Sequence, residues 1–340
     1  MSLAALSADF LPEIETELRA AIGAGPSVLD AYYLMLTYHM GWVDADNQAL
    51  PIVQGGKRIR PLLTALTCAA VGGEWRASLP AAAAIELLHN FSLLHDDIQD
   101  DSPLRRGRPT VWKLWGAPQA INAGDAMFTL AHLAPHRLRA LGVGAEVVLD
   151  VLADFDATCL HLTQGQHLDM AFEQRVKVSV DEYLTMIEGK TAALVSACAR
   201  IGARIGGADA ATREHLAAYG RHLGLAFQIH DDWLGIWGDP EVTGKSAATD
   251  LQARKKSLPV VYALECSDAF VKAYAVPHQR EDTVAGLIEQ LDELGAQTHT
   301  RDLAREHSLQ AVAHLDAARL LGPGADALRE LTGQLLGRTY

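Results

Sequence analysis

Cysteine is scarce in this sequence, and the little there is does not cluster. The four cysteines, Cys68, Cys159, Cys198 and Cys266, lie far apart with no Cys-x-x-Cys pair. Neither a zinc site nor a disulfide framework is expected, and reduced, buried thiols are the plain reading. Positive charge is in deficit as well: 29 Lys and Arg stand against 42 Asp and Glu, a formal net charge of −13. That balance disfavours nonspecific nucleic-acid binding, so an anionic substrate would need local help from metal ions or clustered cations. No run of about 20 uncharged apolar residues occurs, so no segment is expected to span a membrane. The first residues carry Asp9, Glu13, Glu15 and Glu17 without a basic stretch leading into an apolar one. This does not read as a secretory signal, and the expected compartment is the cytoplasm. Alternating β-branched residues, an internal repeat of fixed period and a compositional linker are all missing, which disfavours sheet, repeat and multidomain organisation.

Alanine and leucine are what the chain has in plenty. In segments 81–94, 145–162, 180–205 and 213–234, apolar residues recur at three- and four-residue spacing, the helical period. Breaks fall at Gly55-Gly56, Gly72-Gly73, Pro103 to Pro109, Gly206-Gly207, Gly238 to Gly244 and Pro277. Apolar residues make up 49% and charged residues 21%, enough for a large core and unlike a disordered chain. The expected fold class is all-α, with ten or more helices and short connections in a single domain over residues 1–340.

Two acidic clusters carry the chemistry. The first reads His89-Asn90-Phe91-Ser92-Leu93-Leu94-His95-Asp96-Asp97-Ile98-Gln99-Asp100-Asp101. On a helix Asp96 and Asp100 lie one turn apart on one face, shared with His89 and Ser92, while Asp97 points about 100° away. Like carboxylates at that spacing repel unless a divalent cation joins them, and Mg²⁺ commonly takes one or two carboxylates plus substrate phosphates. A solvated acidic helix end is the alternative; the apolar run 85–94 argues for a core helix instead. Arg105, Arg106 and Arg108 follow directly. They form either a self-neutralising loop or guanidiniums that share a diphosphate with metals.

The second cluster reads Phe227-Gln228-Ile229-His230-Asp231-Asp232, with Gln228 and Asp231 on one face, and the loop after it holds Lys245, Arg254, Lys255 and Lys256. Two Asp-Asp pairs, each ending an apolar helix and each followed by a basic loop, fit a diphosphate clamped between two carboxylate helices through several metals. Near the start, Gly55-Gly56-Lys57-Arg58-Ile59-Arg60-Pro61 sets two glycines before three cations. Glycine lets backbone approach an anion, and a helix starting there would add favourable partial charge. An exposed basic turn is the alternative. The run Gly238 to Ser246 mimics a P-loop, but its spacing is one residue too long and no strand precedes it, so an NTPase is rejected.

In order along the chain stand GGKRIRP, HNFSLLHDDIQDDSPLRRGRP, GKT at Gly189 to Thr191, FQIHDD, and GK…D…K-x-S-L-P. This set resembles the trans-isoprenyl diphosphate synthases, or polyprenyl synthetases, over residues 55–259. The resemblance implies a helical bundle of the isoprenoid synthase type with a central substrate cavity. It implies a prenyltransferase using three Mg²⁺ per active site, with isopentenyl diphosphate and allylic diphosphates as substrates, working as a homodimer. Lys57, Arg60, His89 and Arg106 would hold isopentenyl diphosphate. Asp96, Asp100 and Asp231 would be the principal metal ligands, with Asp97 and Asp232 supporting. Arg105, Lys190, Lys245 and Lys255 would hold the allylic diphosphate, and Thr191 and Gln228 would face the allylic carbon.

The chain departs from the pattern at Gly235, where the second motif usually ends in Asp, at Trp112, where many members have His, and at Ala248, where Gly is common. Ser92 is small and leaves the tail tunnel open at its depth, while Phe91 is bulky; the combination resembles geranylgeranyl-forming members. Farnesyl-forming or longer-chain synthases are the alternatives. A class I terpene cyclase would not need Lys57, Arg60 and His89, and a non-catalytic partner subunit draws support only from Gly235.

Overall fold

The computed structural model describes residues 2–238, 249–252, 254–275 and 281–337. Its α-helices are α1 (Leu3–Ile22), α2 (Asp30–His39), α3 (Ile59–Ala70), α4 (Leu79–Gln99), α5 (Val111–Trp115), α6 (Ala117–Leu133), α7 (Ala145–Glu173) and α8 (Val180–Ile187). They continue with α9 (Ala193–Ile205), α10 (Ala210–Trp237), α11 (Thr249–Gln252), α12 (Leu258–Cys266), α13 (Asp268–Ala275), α14 (Glu281–Glu293), α15 (Ala296–Ala317) and α16 (Pro323–Leu336). The four periodic segments all fall in helices, but 180–205 is divided. A π-helical turn, Glu188–Ala192, joins α8 to α9 and contains the Gly-Lys-Thr motif.

The chain forms two compact units. The first comprises Met1–Phe155, Cys198–Arg213 and Leu320–Leu328. Its centre is α4, which packs against α1, α3 and α6. Residues Leu79 through Leu88 are all buried, so this half of α4, apolar except for Glu86, is covered around its whole circumference, as a central helix must be. Ala81 to Ala84 let neighbours approach closely, and Ile85, Leu87 and Leu88 are fully buried, each worth about 1.5–3 kcal/mol of transfer free energy. The stretch Trp75–Gln99 has the length and hydropathy of a membrane span, yet 72% of its apolar window is buried inside the protein. Glu86, His89, Asn90, Asp96 and Asp97 lie within the same stretch, as befits a core helix that ends in a polar site. A feature the helical pattern did not foretell is a two-stranded hairpin in which Leu104 pairs with Pro109 and Arg105 with Arg108. Its turn residues Arg106 and Gly107 both have positive φ, 53° and 76°. Positive φ at both central positions marks a type I′ turn, whose twist suits a tight hairpin.

The second unit comprises Asp156–Ala197, Glu214–Arg319 and Arg329–Tyr340. A capping box starts α8: Ser179 accepts from the Glu182 N–H while Glu182 accepts from the Ser179 N–H. Phe172, Tyr183, Met186, Leu225, Ile229, Leu258 and Val261 make one apolar core, and Ile236, Val260, Leu264, Phe270, Tyr274 and Leu291 make another. Cys68, Cys159 and Cys198 are buried free thiols, each pushed up to about 12 by loss of solvent. Cys266 is free as well but exposed, which corrects the expectation that all four are buried.

Candidate active site

The first acidic cluster sits where α4 runs out. Asp100 follows the last helical residue, and its N–H donates to Asp96 O at 2.8 Å, so the one-turn spacing survives the helix end. Asp96 is half-buried and Asp100 exposed. Asp97 turns inward, only 2% exposed, and accepts from Arg105 Nε at 2.8 Å. Burial pushes its carboxyl up to about 6, against the pull of Arg105 and with help from Asp96 and Asp100. Its second oxygen, Oδ2, is buried without a hydrogen-bond partner. The hairpin between Leu104 and Pro109 carries Arg105 back to Asp97 and puts Arg106 at its tip. Trp112 closes the loop by donating from Nε1 to Ser102 O at 2.8 Å.

The basic turn precedes α3, so its cations do stand at a helix N-terminus. The three differ in fate. Arg58 adopts a left-handed conformation as the N-cap and points inward. It donates to Glu86 Oε1 at 2.8 Å, Gly55 O at 3.0 Å, Met40 O at 3.2 Å and Glu15 Oε2 at 3.2 Å. A Cβ on Gly55 would lie 2.4 Å from Met40 O, so only glycine fits. Lys57 stays exposed. Arg60 Nη1 meets His89 Nε2 at 3.2 Å. A guanidinium offers no acceptor, so this His89 nitrogen accepts and the ring is neutral. Desolvation, then Arg60, Arg106 and Arg105, keep His89 well below the usual imidazole range. Arg106 lies over Gly56 and donates to Gln54 O at 3.4 Å. Arg60, His89 and Arg106 are thus brought together, while Lys57 shares the turn in sequence but stays exposed. His39 joins them, half-buried and lowered to about 3 by desolvation and by Arg105, Arg106, Arg58 and Arg108. It shares a cleft with Gln54, Asp97, Arg105, Arg106 and Thr110.

At the tail-side positions, Ser92 Oγ donates to His89 O at 2.8 Å. Phe91 packs on Phe128 of α6, ring centroids 4.8 Å apart, and Phe128 on His132 at 4.4 Å, which meets Phe155 at 5.1 Å.

In the second unit a single hydrogen-bonded chain links the expected residues. Thr191 Oγ1 donates to Gln228 Oε1 at 2.9 Å, and Gln228 Nε2 donates to Asp232 Oδ1 at 3.0 Å. Asp232 is buried, and its Oδ2 accepts from Tyr183 OH at 2.5 Å and from the Leu258 N–H at 2.8 Å. Both Asp232 oxygens are therefore engaged, while Asp231 next to it is exposed. Lys190 pairs with Asp169 of α7. The π turn sits so close to α7 that a Cβ on Gly165 would fall 2.1 Å from Lys190 N. Such turns recur at functional sites because they re-aim side chains. Lys255 is exposed, its carbonyl accepting from Tyr274 OH at 2.9 Å. Lys245 lies outside the described residues.

Among the described residues no three His, Cys, Asp or Glu groups converge tightly enough to hold an ion alone. All-oxygen carboxylate clusters with an unpartnered buried Asp97 oxygen fit Mg²⁺, which takes few protein ligands and completes its shell from phosphate and water. The motifs did not flag Glu86, His39, Tyr183 or the Leu258 N–H, and they gave Arg58 only as one cation of the basic turn. Leu258 had a sequence signal only as part of K-x-S-L-P.

A profile of the polyprenyl synthetase family matches residues 46–291. The chain is 44% identical over 282 residues to the (2E,6E)-farnesyl diphosphate synthase of Mycobacterium tuberculosis (strain ATCC 25618 / H37Rv), covering 83% of this chain and 72% of that one. It is 42% identical over 274 residues to the geranylgeranyl diphosphate synthase of the same strain, covering 76% of each. Its structure is similar to that of a polyprenyl synthetase from Streptomyces coelicolor A3(2), with 37% identity, a TM-score of 0.87, and 98% of this chain and 100% of that one covered.

Proposed function

The chain belongs to the polyprenyl synthetase family and is a prenyltransferase of the all-α isoprenoid synthase fold; from that premise we propose that it elongates allylic diphosphates with isopentenyl diphosphate and stops mainly at geranylgeranyl diphosphate. The observation that carries the two-substrate reading is the pair of guanidiniums, Arg60 and Arg106, beside neutral His89. A terpene cyclase handles one diphosphate and has no use for it.

In this reading Lys57, Arg60, His89 and Arg106 bind isopentenyl diphosphate. Asp96, Asp100 and Asp231 would hold magnesium; Asp97 and Asp232, both tied into hydrogen bonds, would orient those sites. The chemistry magnesium supplies when bound is electrostatic stabilisation of the departing diphosphate. Arg105, Lys190, Lys245 and Lys255 add fixed positive charge at the same group, where such contacts count most in the transition state. Thr191 donates its proton to Gln228, which leaves the Thr191 oxygen lone pairs directed at positive charge on the allylic carbon. The isopentenyl double bond attacks that carbon, and the released diphosphate takes the proton lost afterwards, so no side-chain base is needed. The Phe91–Phe128 stack is the tunnel floor; Ser92 leaves the tunnel open above it.

We read the active form as a cytoplasmic homodimer, which light scattering at micromolar concentration checks. The 44% identity to a farnesyl diphosphate synthase favours a fifteen-carbon product as the second reading. The test is incorporation of labelled isopentenyl diphosphate by the purified chain alone, with dimethylallyl, geranyl or farnesyl diphosphate as primer. Incorporation that chelation abolishes is expected. No incorporation would make the chain a partner subunit, and hydrocarbon release without incorporation would make it a cyclase.

A further inference from the structure

Among the histidines of the second unit that the reaction does not use, four form a cluster. His215 and His222 are seven residues apart on α10, and His307 and His314 are seven apart on α15. Seven residues make two turns, so each pair shares a helix face. The helices meet in antiparallel register: His215 Nδ1 lies 3.3 Å from His314 Nδ1, and His222 Nδ1 lies 3.0 Å from His307 Nδ1. His222 also stacks on His314, with centroids 5.6 Å and planes 11° apart. All four rings are half-buried.

An apolar seam would pack two helices without any of this. Within each pair one Nδ1 donates to the other in an N–H···N hydrogen bond, so an ion that replaced that proton would find both nitrogens already turned toward one point. Two metal–nitrogen bonds of about 2.0–2.1 Å at a tetrahedral angle set their nitrogens about 3.3 Å apart, and at a right angle about 2.9 Å apart. The two observed separations match these values. Burial, then the neighbouring His307, Arg221 and His314, hold His222 down to about 4, with Glu188 opposing, and His307 is lowered by burial too. Glu188, the nearest carboxylate on the π turn, is locked in a two-point ion pair with Arg221, so it does not compete for the imidazoles.

We propose that the seam between α10 and α15 is an accessory site for borderline divalent transition ions such as Zn²⁺ or Cu²⁺, each imidazole pair giving two nitrogen ligands and solvent the rest. Mg²⁺, which prefers oxygen, is not taken up there. A bound ion clamps α15 to α10, the helix that carries Gln228, Asp231 and Asp232.

The test uses the full chain, stripped with chelator and kept in millimolar Mg²⁺. Zn²⁺ titrated against a chromophoric chelator should bind at about two equivalents per chain and raise the melting temperature. His222→Gln with His314→Gln removes one ring from each pair and should abolish both effects; His215→Gln alone should lose one equivalent. Cu²⁺ added to the unsubstituted chain should give an electron paramagnetic resonance signal split by two equivalent nitrogens, a readout independent of any variant's folding. Equal Zn²⁺ uptake by the double variant, or a Cu²⁺ signal from oxygen ligands alone, overturns the proposal.

Discussion

Replacing Glu86 by Gln should unsettle the isopentenyl site through a residue that never touches substrate. The Arg58 and Glu86 side chains are 6% and 4% exposed, and their contact is 2.8 Å long. Glutamine keeps the shape of Glu86 and the hydrogen bond from Asn90, so no cavity opens; what is lost is the charge that neutralises Arg58. Removing one member of a buried pair costs about 3–5 kcal/mol, because the other charge is left in low dielectric. Glu15 still reaches Arg58 Nε at 3.2 Å but is 21% exposed, which places the cost near the lower end, about 3 kcal/mol. Guanidinium unfolding should register that loss as a lower midpoint at unchanged slope. Arg58 fixes the turn between Lys57 and Arg60, so KM for isopentenyl diphosphate should rise about tenfold, equivalent to about 1.4 kcal/mol, while KM for the allylic primer holds. The double change Arg58→Met with Glu86→Leu should regain most of the stability, since apolar replacements of a buried pair are often neutral, but not the KM. A Glu86→Gln protein as stable as its parent with an unaltered isopentenyl KM would refute the reasoning.

Asp96→Ala and Asp231→Ala should each lower kcat by about 10²–10³, measured at saturating Mg²⁺; near-normal rates in both would remove these residues from the metal site. Phe91→Ala should lengthen the product by removing the ring that meets Phe128, and Ser92→Phe should shorten it toward farnesyl, both read by mass spectrometry of the reaction from farnesyl diphosphate. Stability should fall with acid. His39, His89 and His222 are all lowered in the folded chain, the first to about 3 and the last to about 4. As pH drops below about 6.5 the unfolded chain takes up protons first, so urea midpoints should decline between pH 6.5 and pH 4; a flat profile there would contradict the burial of these rings.

The parts of the site that could be read from sequence are those whose chemistry is local. A one-turn carboxylate pair has an unfavourable charge whatever surrounds it, and apolar spacing identifies α4, α7 and α10 without reference to neighbours. The unread parts depend on distant partners. Which cation of Lys57, Arg58 and Arg60 turns inward is decided by Glu86, 28 residues later, and by Glu15, 43 residues earlier. Tyr183 reaches Asp232 across 49 positions, and the Leu258 contribution is a backbone N–H that no side-chain pattern encodes. The hairpin before α5 was hidden because its turn puts Arg106, not only Gly107, at positive φ. On an ideal wheel Phe91 lies about 140° from Asp96, and only the position of Phe128 on α6 gives that orientation a meaning. The spacing His215/His222 and His307/His314 is visible in the sequence, but the antiparallel register that pairs the rings is a property of the fold.

The central claim is that this chain alone joins isopentenyl to allylic diphosphate and stops at twenty carbons. The most direct measurement is the mass distribution of dephosphorylated products from the purified chain with Mg²⁺, farnesyl diphosphate and excess isopentenyl diphosphate. The account predicts a dominant twenty-carbon alcohol, with longer products appearing only when Phe91 is made small. Unconsumed farnesyl diphosphate, or a ladder of products at thirty carbons and beyond from the unsubstituted chain, would contradict it.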